Sequence, residues 1–276
     1  MPARLLLLGD VCSGAGRDAL ADVLPGLRRW TRADLVVVNV ENAAGGYGIN
    51  HKIAQEILDA GVDVLTTGDH AFDRKDAWRC FDDIPRLLRP LNFPAGAPGR
   101  GSLLVELEGF SVGVVNLVGR VFMKPLDCPF ERGLAAVEEL RRRTRVILVD
   151  FHAEATAEKQ SMGWFLDGKV SAVLGTHTHV QTADETVLPG GTAYLSDVGM
   201  CGAFDSVLGM SKDDSLQRLL RGLPYRLHPA LGDPRVSGAL VEVDEATGRA
   251  TSIERIQVHA GPHEPEPNQP PAPGVE

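Results

Sequence analysis

A chain of 276 residues with 43% hydrophobic and 24% charged residues has a globular composition and enough length to bury a substantial core. Its formal net charge of −9 excludes the basic stripe that long nucleic acid requires, while leaving room for a small phosphorylated substrate in a pocket. No apolar run approaches the roughly 20 residues of a membrane span. The opening residues 1–8 are too short for a signal-peptide core, so a cytoplasmic protein is expected.

Residues 5–8 read as a first strand ending in Gly9-Asp10. A glycine-rich turn, Ser13-Gly14-Ala15-Gly16, leads into a helix over 17–30 with an apolar stripe at Leu20, Leu24 and Leu27, which Pro25 is placed to kink or divide. Strand 35–38 closes on Glu41-Asn42, and a helix over 50–60 follows with Asn50 as its N-cap. Strand 62–65 runs into Gly68-Asp69-His70, and Asp73 is set to cap a helix carrying Trp78 and Phe81. A proline-rich connection then precedes a hairpin of 103–107 with 110–115. The bulky loop 116–131 after it has the length and content of a pocket wall.

Further along, helix 133–143 is basic at its C-terminal end, as the helix dipole favours. Strand 146–149 ends in Asp150-Phe151-His152, helix 156–166 follows, and strand 170–174 ends in Gly175-Thr176-His177-Thr178-His179. A short strand at 192–195, a helix over 213–221 and strands at 239–243 and 252–258 complete a single domain over 1–260. The remaining 261–276 are rich in proline and glutamate and read as a disordered tail. The scattered Cys12, Cys80, Cys128 and Cys201 lack Cys-x-x-Cys spacing and fit a reducing compartment, with Cys12 near enough to Asp10 to invite oxidation.

One regularity organises the chain. Five apolar strands are each followed within a few residues by metal-binding groups: Asp10, then Glu41 with Asn42, Asp69 with His70, His152, and finally His177 with His179. In open α/β sheets the crevice beyond the carboxyl ends of the strands is where sites form. Side chains two apart on extended chain point to one side, so His177 and His179 are expected to aim at one point from the end of their strand. The inventory exceeds the four to six ligands of one divalent ion and fits two ions sharing a bridging carboxylate. Carboxylate, amide and imidazole without thiolate suit iron or manganese, with zinc as a further candidate. Two such ions are the equipment of phosphate-ester hydrolysis. His51, His228, His259 and His263 fall outside the pattern and are read as solvated.

These motifs resemble, in order, those of calcineurin-like metallophosphoesterases, and longer stretches are similar to the YmdB-type phosphodiesterases. Those stretches are Val40-Glu41-Asn42-Ala43-Ala44-Gly45-Gly46, Asp150-Phe151-His152-Ala153-Glu154-Ala155-Thr156 and Val180-Gln181-Thr182-Ala183-Asp184-Glu185. The resemblance covers about residues 4–258 and implies an α/β fold, a four-layer αββα sandwich, with a di-metal centre hydrolysing 2',3'-cyclic nucleotides through a bridging hydroxide. It implies that Asp10, Glu41, Asn42 and His179 hold one ion, that Glu41 bridges, and that Asp69, His152 and His177 complete the second. His70 is then the proton donor. Apart from the resemblance, Arg120, Phe122 and Lys124 of the bulky loop are candidate substrate contacts, with a packing role as the alternative. The implied partner is a small phosphodiester, with no membrane and no long nucleic acid; homo-oligomerisation stays open.

One position departs from the resemblance: Asp69 stands where the family usually has Asn. The added negative charge brings two divalent ions, their carboxylates and a hydroxide close to neutrality, which predicts slower hydrolysis of an anionic diester. It also raises the alternative of a metal-binding regulatory or interaction protein with weak or no turnover. A dinucleotide-binding reading of Gly14-Ala15-Gly16-Arg17-Asp18-Ala19 is rejected because it leaves the histidines unused and its glycines begin several residues past the strand.

Overall fold

The computed structural model describes residues 2–261, so the expected disordered stretch from residue 262 onward, His263 included, lies outside the described residues. In chain order the first half contains β1 (Ala3–Leu8), β2 (Asp10–Val11), α1 (Ser13–Thr31), β3 (Leu35–Asn39), α2 (His51–Asp59), β4 (Val64–Thr66), α3 (Cys80–Asp83), β5 (Ser102–Glu106) and β6 (Ser111–Val118). The second half contains α4 (Pro129–Leu140), β7 (Val146–His152), α5 (Thr156–Leu166), β8 (Ala172–Thr176), β9 (Thr186–Val187), β10 (Ala193–Leu195), β11 (Met200–Ala203), α6 (Lys212–Arg221), β12 (Pro234–Asp244) and β13 (Arg249–His259).

Two sheets face each other. One runs β2-β11-β12-β1-β3-β4 with β13 also on β12, the other β5-β6-β7-β8-β10-β9. Period-two alternation sorts the apolar side chains into three layers of core. Leu5 and Leu7, Leu35 and Val37, Val112 and Val114, Leu148, Ala172 and Leu174 meet between the sheets. Leu6, Leu8, Val36 and Val38 turn outward to Leu20, Leu24 and Leu27 of α1 and Ile57 of α2. Val115, Ile147, Val149 and Phe151 turn the opposite way, to Val137 and Leu140 of α4 and Met162 and Leu166 of α5. This is the four-layer αββα sandwich, and each fully buried Leu or Val adds about 1.5–3 kcal/mol by leaving water.

The same alternation places polar groups at the strand ends. β1, β3 and β4 are parallel, as are β6, β7, β8 and β10, so their carboxyl ends share an edge within each sheet. There the inward positions change from apolar to polar: Asn39, Thr66, Asn116, Asp150 and Thr176, all fully buried. They bond across the sheets. The Asn39 amide donates to Asp150 Oδ2 at 3.0 Å, the Thr66 hydroxyl donates to the same oxygen, and Asn116 exchanges hydrogen bonds with the backbone of Thr67.

Several local expectations change. The Ser13–Gly16 turn is the first turn of α1, whose N-cap is Cys12, and Pro25 sits inside that helix without ending it. Gly16 allows the close approach: a Cβ there would lie 2.2 Å from the Cys201 carbonyl oxygen. Asn50 caps α2 as expected, accepting from Ile53 N at 2.9 Å. Asp73 caps nothing; a 3-10 turn over Lys75–Ala77 and the four-residue α3 follow it, and its carboxylate serves other partners. α4 ends at Leu140, so the run Arg141–Arg143 lies past the last helical turn rather than within it. His259 is not solvated: its ring is 14% exposed and its Nδ1 lies 3.1 Å from Asp233. His228 is exposed as expected but pairs with Asp214. No helix among the described residues is long and apolar enough to cross a membrane.

Cys12, Cys80 and Cys201 are buried, and burial with the nearby Asp10 pushes the Cys12 thiol up to about 12. The thiolate needed for oxidation is therefore scarce at Cys12 despite its position. Alkylation of the native protein at neutral pH is expected to label Cys128 alone, the half-buried one of the four, with the other three reacting only in denaturant. Mass spectrometry of the labelled peptides checks this.

Candidate metal centre

The strand ends deliver the expected residues to one place. Asp10 begins β2, Glu41 and Asn42 follow β3, Asp69 and His70 follow β4, and His152 is the last residue of β7 itself. His177 and His179 follow β8, but not by strand alternation. Both occupy left-handed backbone, with φ of 97° and 63°, where a non-glycine residue costs on the order of 1–3 kcal/mol. The expectation that two extended residues aim their rings at one point is therefore corrected: the chain turns between them, and the two imidazoles face different neighbours.

Glu41, Asp69, His152 and His177 offer four ligand atoms within 4.8 Å of one another. His152 Nε2 lies 3.0 Å from Glu41 Oε1, 3.4 Å from Asp69 Oδ1 and 3.0 Å from His177 Nδ1. A second group lies alongside: His179 Nε2 is 3.1 Å from Asn42 Oδ1. Asp10 stands against the first group, its Oδ2 accepting from His177 N at 3.0 Å and its Oδ1 lying 3.5 Å from His152 Nδ1.

The outer partners of each ring assign its proton, because a neutral imidazole has one donor nitrogen and one acceptor. Thr176 donates its only hydroxyl proton to Asp150 Oδ1 at 2.8 Å, so its oxygen accepts from His152 Nδ1 at 2.9 Å and leaves His152 Nε2 as a lone pair. The Glu154 carboxylate, 3.1 Å from His177 Nε2, takes a proton there and leaves Nδ1 as the lone pair. The Leu208 carbonyl accepts from His179 Nδ1 at 3.1 Å, leaving Nε2 as a lone pair toward the Asn42 oxygen, and Asn42 fixes that orientation by donating its amide to Gly46 O. With the rings neutral, as metal ligation requires, lone pair faces lone pair in both groups. Asp10 Oδ1 and Asp69 Oδ1 are buried without a hydrogen-bond partner among the described residues. Acceptors converging without donors repel one another unless a cation sits among them, so the Glu41 group fits a metal ion, with Asn42 and His179 alongside it.

Charge in the centre responds to the same crowding. Burial pushes the Asp10 carboxyl up to about 6, and burial together with His152 lowers His177 to about 4, keeping that ring neutral and able to ligate. Burial opposes the charge on His152, but Glu41, Asp69 and Asp10 outweigh it and hold that ring well above the usual imidazole range. A bound cation supplies the positive charge the carboxylates otherwise draw from His152.

His70 stands at the rim, 35% exposed, with its backbone N donating to Glu41 Oε2 at 3.3 Å. Its Nδ1 lies 2.7 Å from Asp73 Oδ2, and Lys124 Nζ bonds both Asp73 Oδ1 at 3.0 Å and the Asp69 carbonyl at 2.7 Å. Burial works against its charge, but Glu41, Asp73 and Asp69 raise its pKa. Of the expected substrate contacts, Lys124 thus reaches the centre. Arg120 does not: its guanidinium bonds Cys128 Sγ at 3.4 Å and it lines a groove of about 510 Å³ with Phe130, Ala157 and Ser161. Phe122 is 90% exposed on a left-handed residue two positions before Lys124. Glu154, Asp73, Thr176 and Asp150 stand outside the ligand set that the sequence suggests. Glu154 and Asp150 lie within one of the quoted motif stretches, yet only spatial proximity shows what they bond.

A two-sheet sandwich with carboxylate and imidazole acceptors converging beyond the strand ends defines a metallophosphoesterase. A family model described as YmdB-like protein matches residues 6–256, and the chain belongs to that family. It is 44% identical over 256 residues to the 2',3'-cyclic-nucleotide 2'-phosphodiesterase of Bacillus subtilis, spanning 93% of this chain and 97% of that one. Among solved structures, a hypothetical protein from Thermus thermophilus matches with a TM-score of 0.88 and 40% identity over 94% of this chain and 100% of that one. A phosphatase from Mycoplasma pneumoniae matches with a TM-score of 0.88 and 33% identity over 94% of each chain.

Gly68 makes the centre sterically possible. A Cβ at this position would fall 2.1 Å from Glu41 Oε2 and 2.2 Å from His152 Nε2. Gly68→Ala is expected to lower metal content below that of the unaltered protein while leaving circular dichroism unchanged, measured by elemental analysis after purification.

Proposed function

We propose that the protein is a metal-dependent phosphodiesterase that opens the 2',3'-cyclic phosphate of nucleotides. The observation that carries this reading is the set of three imidazoles, each held on its far side by Thr176, Glu154 or the Leu208 carbonyl, with two unpartnered carboxylate oxygens among them. Asp10, Asn42 and His179 would hold one ion, Asp69, His152 and His177 a second, and Glu41 would be shared; iron or manganese suits these donors best, zinc less so. When bound, such ions supply Lewis-acid charge to the phosphate and make water a nucleophile at neutral pH.

The chain's own residues do the rest. Attack of water on phosphorus breaks the bond to the 2'-oxygen, which must gain a proton to leave as a hydroxyl. His70 is placed to hold that proton: its carboxylate neighbours raise its pKa, Asp73 takes its Nδ1–H, and Nε2–H is left to face the leaving oxygen. Lys124 keeps Asp73 in place and brings an ammonium group to the mouth of the site. Phe122, held on the same loop, offers a ring to the nucleobase. We infer one domain over 1–260 and a cytoplasmic setting, in keeping with the scattered cysteines.

Turnover of a 2',3'-cyclic nucleotide by Mn²⁺-loaded protein, with the nucleoside 3'-phosphate as product, is the expected result. Tight metal with no turnover of this or a generic phosphodiester would instead favour the regulatory module. His70→Ala is expected to lower kcat by roughly 10²–10⁴-fold with metal content unchanged. In the unaltered enzyme, kcat should fall on the alkaline side as pH rises through the raised pKa of His70, and that limb should vanish in the variant.

Asp69 adds one negative charge that an Asn would not. Its pKa is held far below the usual range: burial opposes the charge, but the neighbouring His152, with His70 and His177, overcomes it. It is therefore ionised at any working pH. Asp69→Asn is expected to raise kcat for the anionic diester at equal metal loading; an unchanged kcat would remove the charge argument.

A further inference from the structure

α5 begins with two adjacent buried charges, and the second has no task in the chemistry described above. Lys159 is 2% exposed, and its ammonium lies 2.8 Å from Asp197 Oδ2, a fully buried carboxylate in the link between β10 and β11. Two buried charges are costly unless paired and hydrogen-bonded. Here the remaining capacity goes to one residue. Asp197 Oδ2 accepts from Thr178 N at 3.0 Å and from the Thr178 hydroxyl at 2.6 Å, while Lys159 Nζ donates to that hydroxyl oxygen at 3.3 Å. The other carboxylate oxygen, Oδ1, accepts from Gly199 N at 2.8 Å and so anchors the carboxylate.

Thr178 is the residue between His177 and His179, the two left-handed positions whose rings face different groups of the centre. Nothing in β8 requires that turn, since the strand ends at Thr176. Left unheld, residues 177 and 179 favour negative φ, which would carry one imidazole away from its neighbours. We infer that the Lys159–Asp197 pair is a positioning device that grips Thr178 from both sides and so holds His177 and His179 at two different ions. The inference rests on the reading of these histidines as ligands. The preceding residue, Glu158, grips a different loop, accepting from Arg120 N at 3.0 Å and Val121 N at 3.1 Å, so the two neighbours on α5 hold separate loops and only Lys159 reaches the one that carries the histidines.

The test titrates metal-stripped full-length protein with Mn²⁺ by calorimetry. Thr178→Val deletes the hydroxyl contacts and leaves the ion pair, and the double variant Lys159→Met with Asp197→Asn removes both charges together. Each is expected to weaken Mn²⁺ binding by about 10–100-fold with an unchanged far-ultraviolet spectrum. Glu158→Gln, as the control, is expected to leave Mn²⁺ affinity unchanged. Wild-type Mn²⁺ affinity in folded Thr178→Val would overturn the inference, as would an equal loss in Glu158→Gln. If the double variant does not fold, Thr178→Val decides alone. A wild-type chain that takes up no Mn²⁺ would overturn the metal-centre reading itself, and the inference with it, a result distinct from uptake with unaffected variants.

Discussion

The buried carboxylate of Asp150 is the constraint around which the molecule closes. It lies in the polar layer that ends the aliphatic space between the sheets, and it is held by Asn39 and Thr66 from one sheet and Thr176 from its own. Burial pushes its pKa upward, and His152 together with the three donors works against that push. A polar group in such a place is tolerated only when its partners come from fixed positions, which locks the two sheets in register. That register sets how far the end of β7 stands from the ends of β3 and β4. His152, two residues beyond Asp150 on the same face, is thereby delivered to Glu41 and Asp69.

From that layer the chemistry is assembled outward in shells of decreasing burial. Asp150 and Thr176 decide which nitrogen of His152 is bare, and Glu154 and the Leu208 carbonyl do the same for the two loop histidines. His70, Asp73 and Lys124 occupy the exposed rim, where a proton can be exchanged with solvent between turnovers. The inner shell is shaped for cations and the outer for protons. In the function proposed, this separation would let one small site use Lewis-acid and Brønsted-acid chemistry without either set of groups competing for the other's task.

Most of the architecture was legible in the chain because its signals are periodic. Apolar runs such as residues 35–38 and 146–149 mark strands by themselves, and metal-binding residues recur just past each run. What could not be read depended on neighbours remote in sequence. Strand periodicity assigns His177 and His179 to one side, whereas the chain leaves the strand at Thr176 and turns under the grip of Asp197. Asp73 has the local look of a helix cap but is drawn off by His70 and Lys124. Arg120 shares a loop with Lys124, yet the Glu158 carboxylate pulls its backbone toward α5 and its guanidinium follows to Cys128. In each case a charged partner absent from the local window outweighed local propensity.

The fixing of each imidazole tautomer from its far side has a consequence for the protein's life with metal. Where ligands are unformed until the ion arrives, as in a zinc finger, binding and folding are one event and the fold discriminates among ions. Here Thr176, Glu154 and the Leu208 carbonyl hold the rings in place through bonds that involve no ion, on a frame whose core lies elsewhere. Loading is then a docking step into a finished receptacle, and unloading need not threaten the chain. The occupant becomes a matter of supply and of the order in which ions are offered, so the same polypeptide could carry different metals under different conditions of growth.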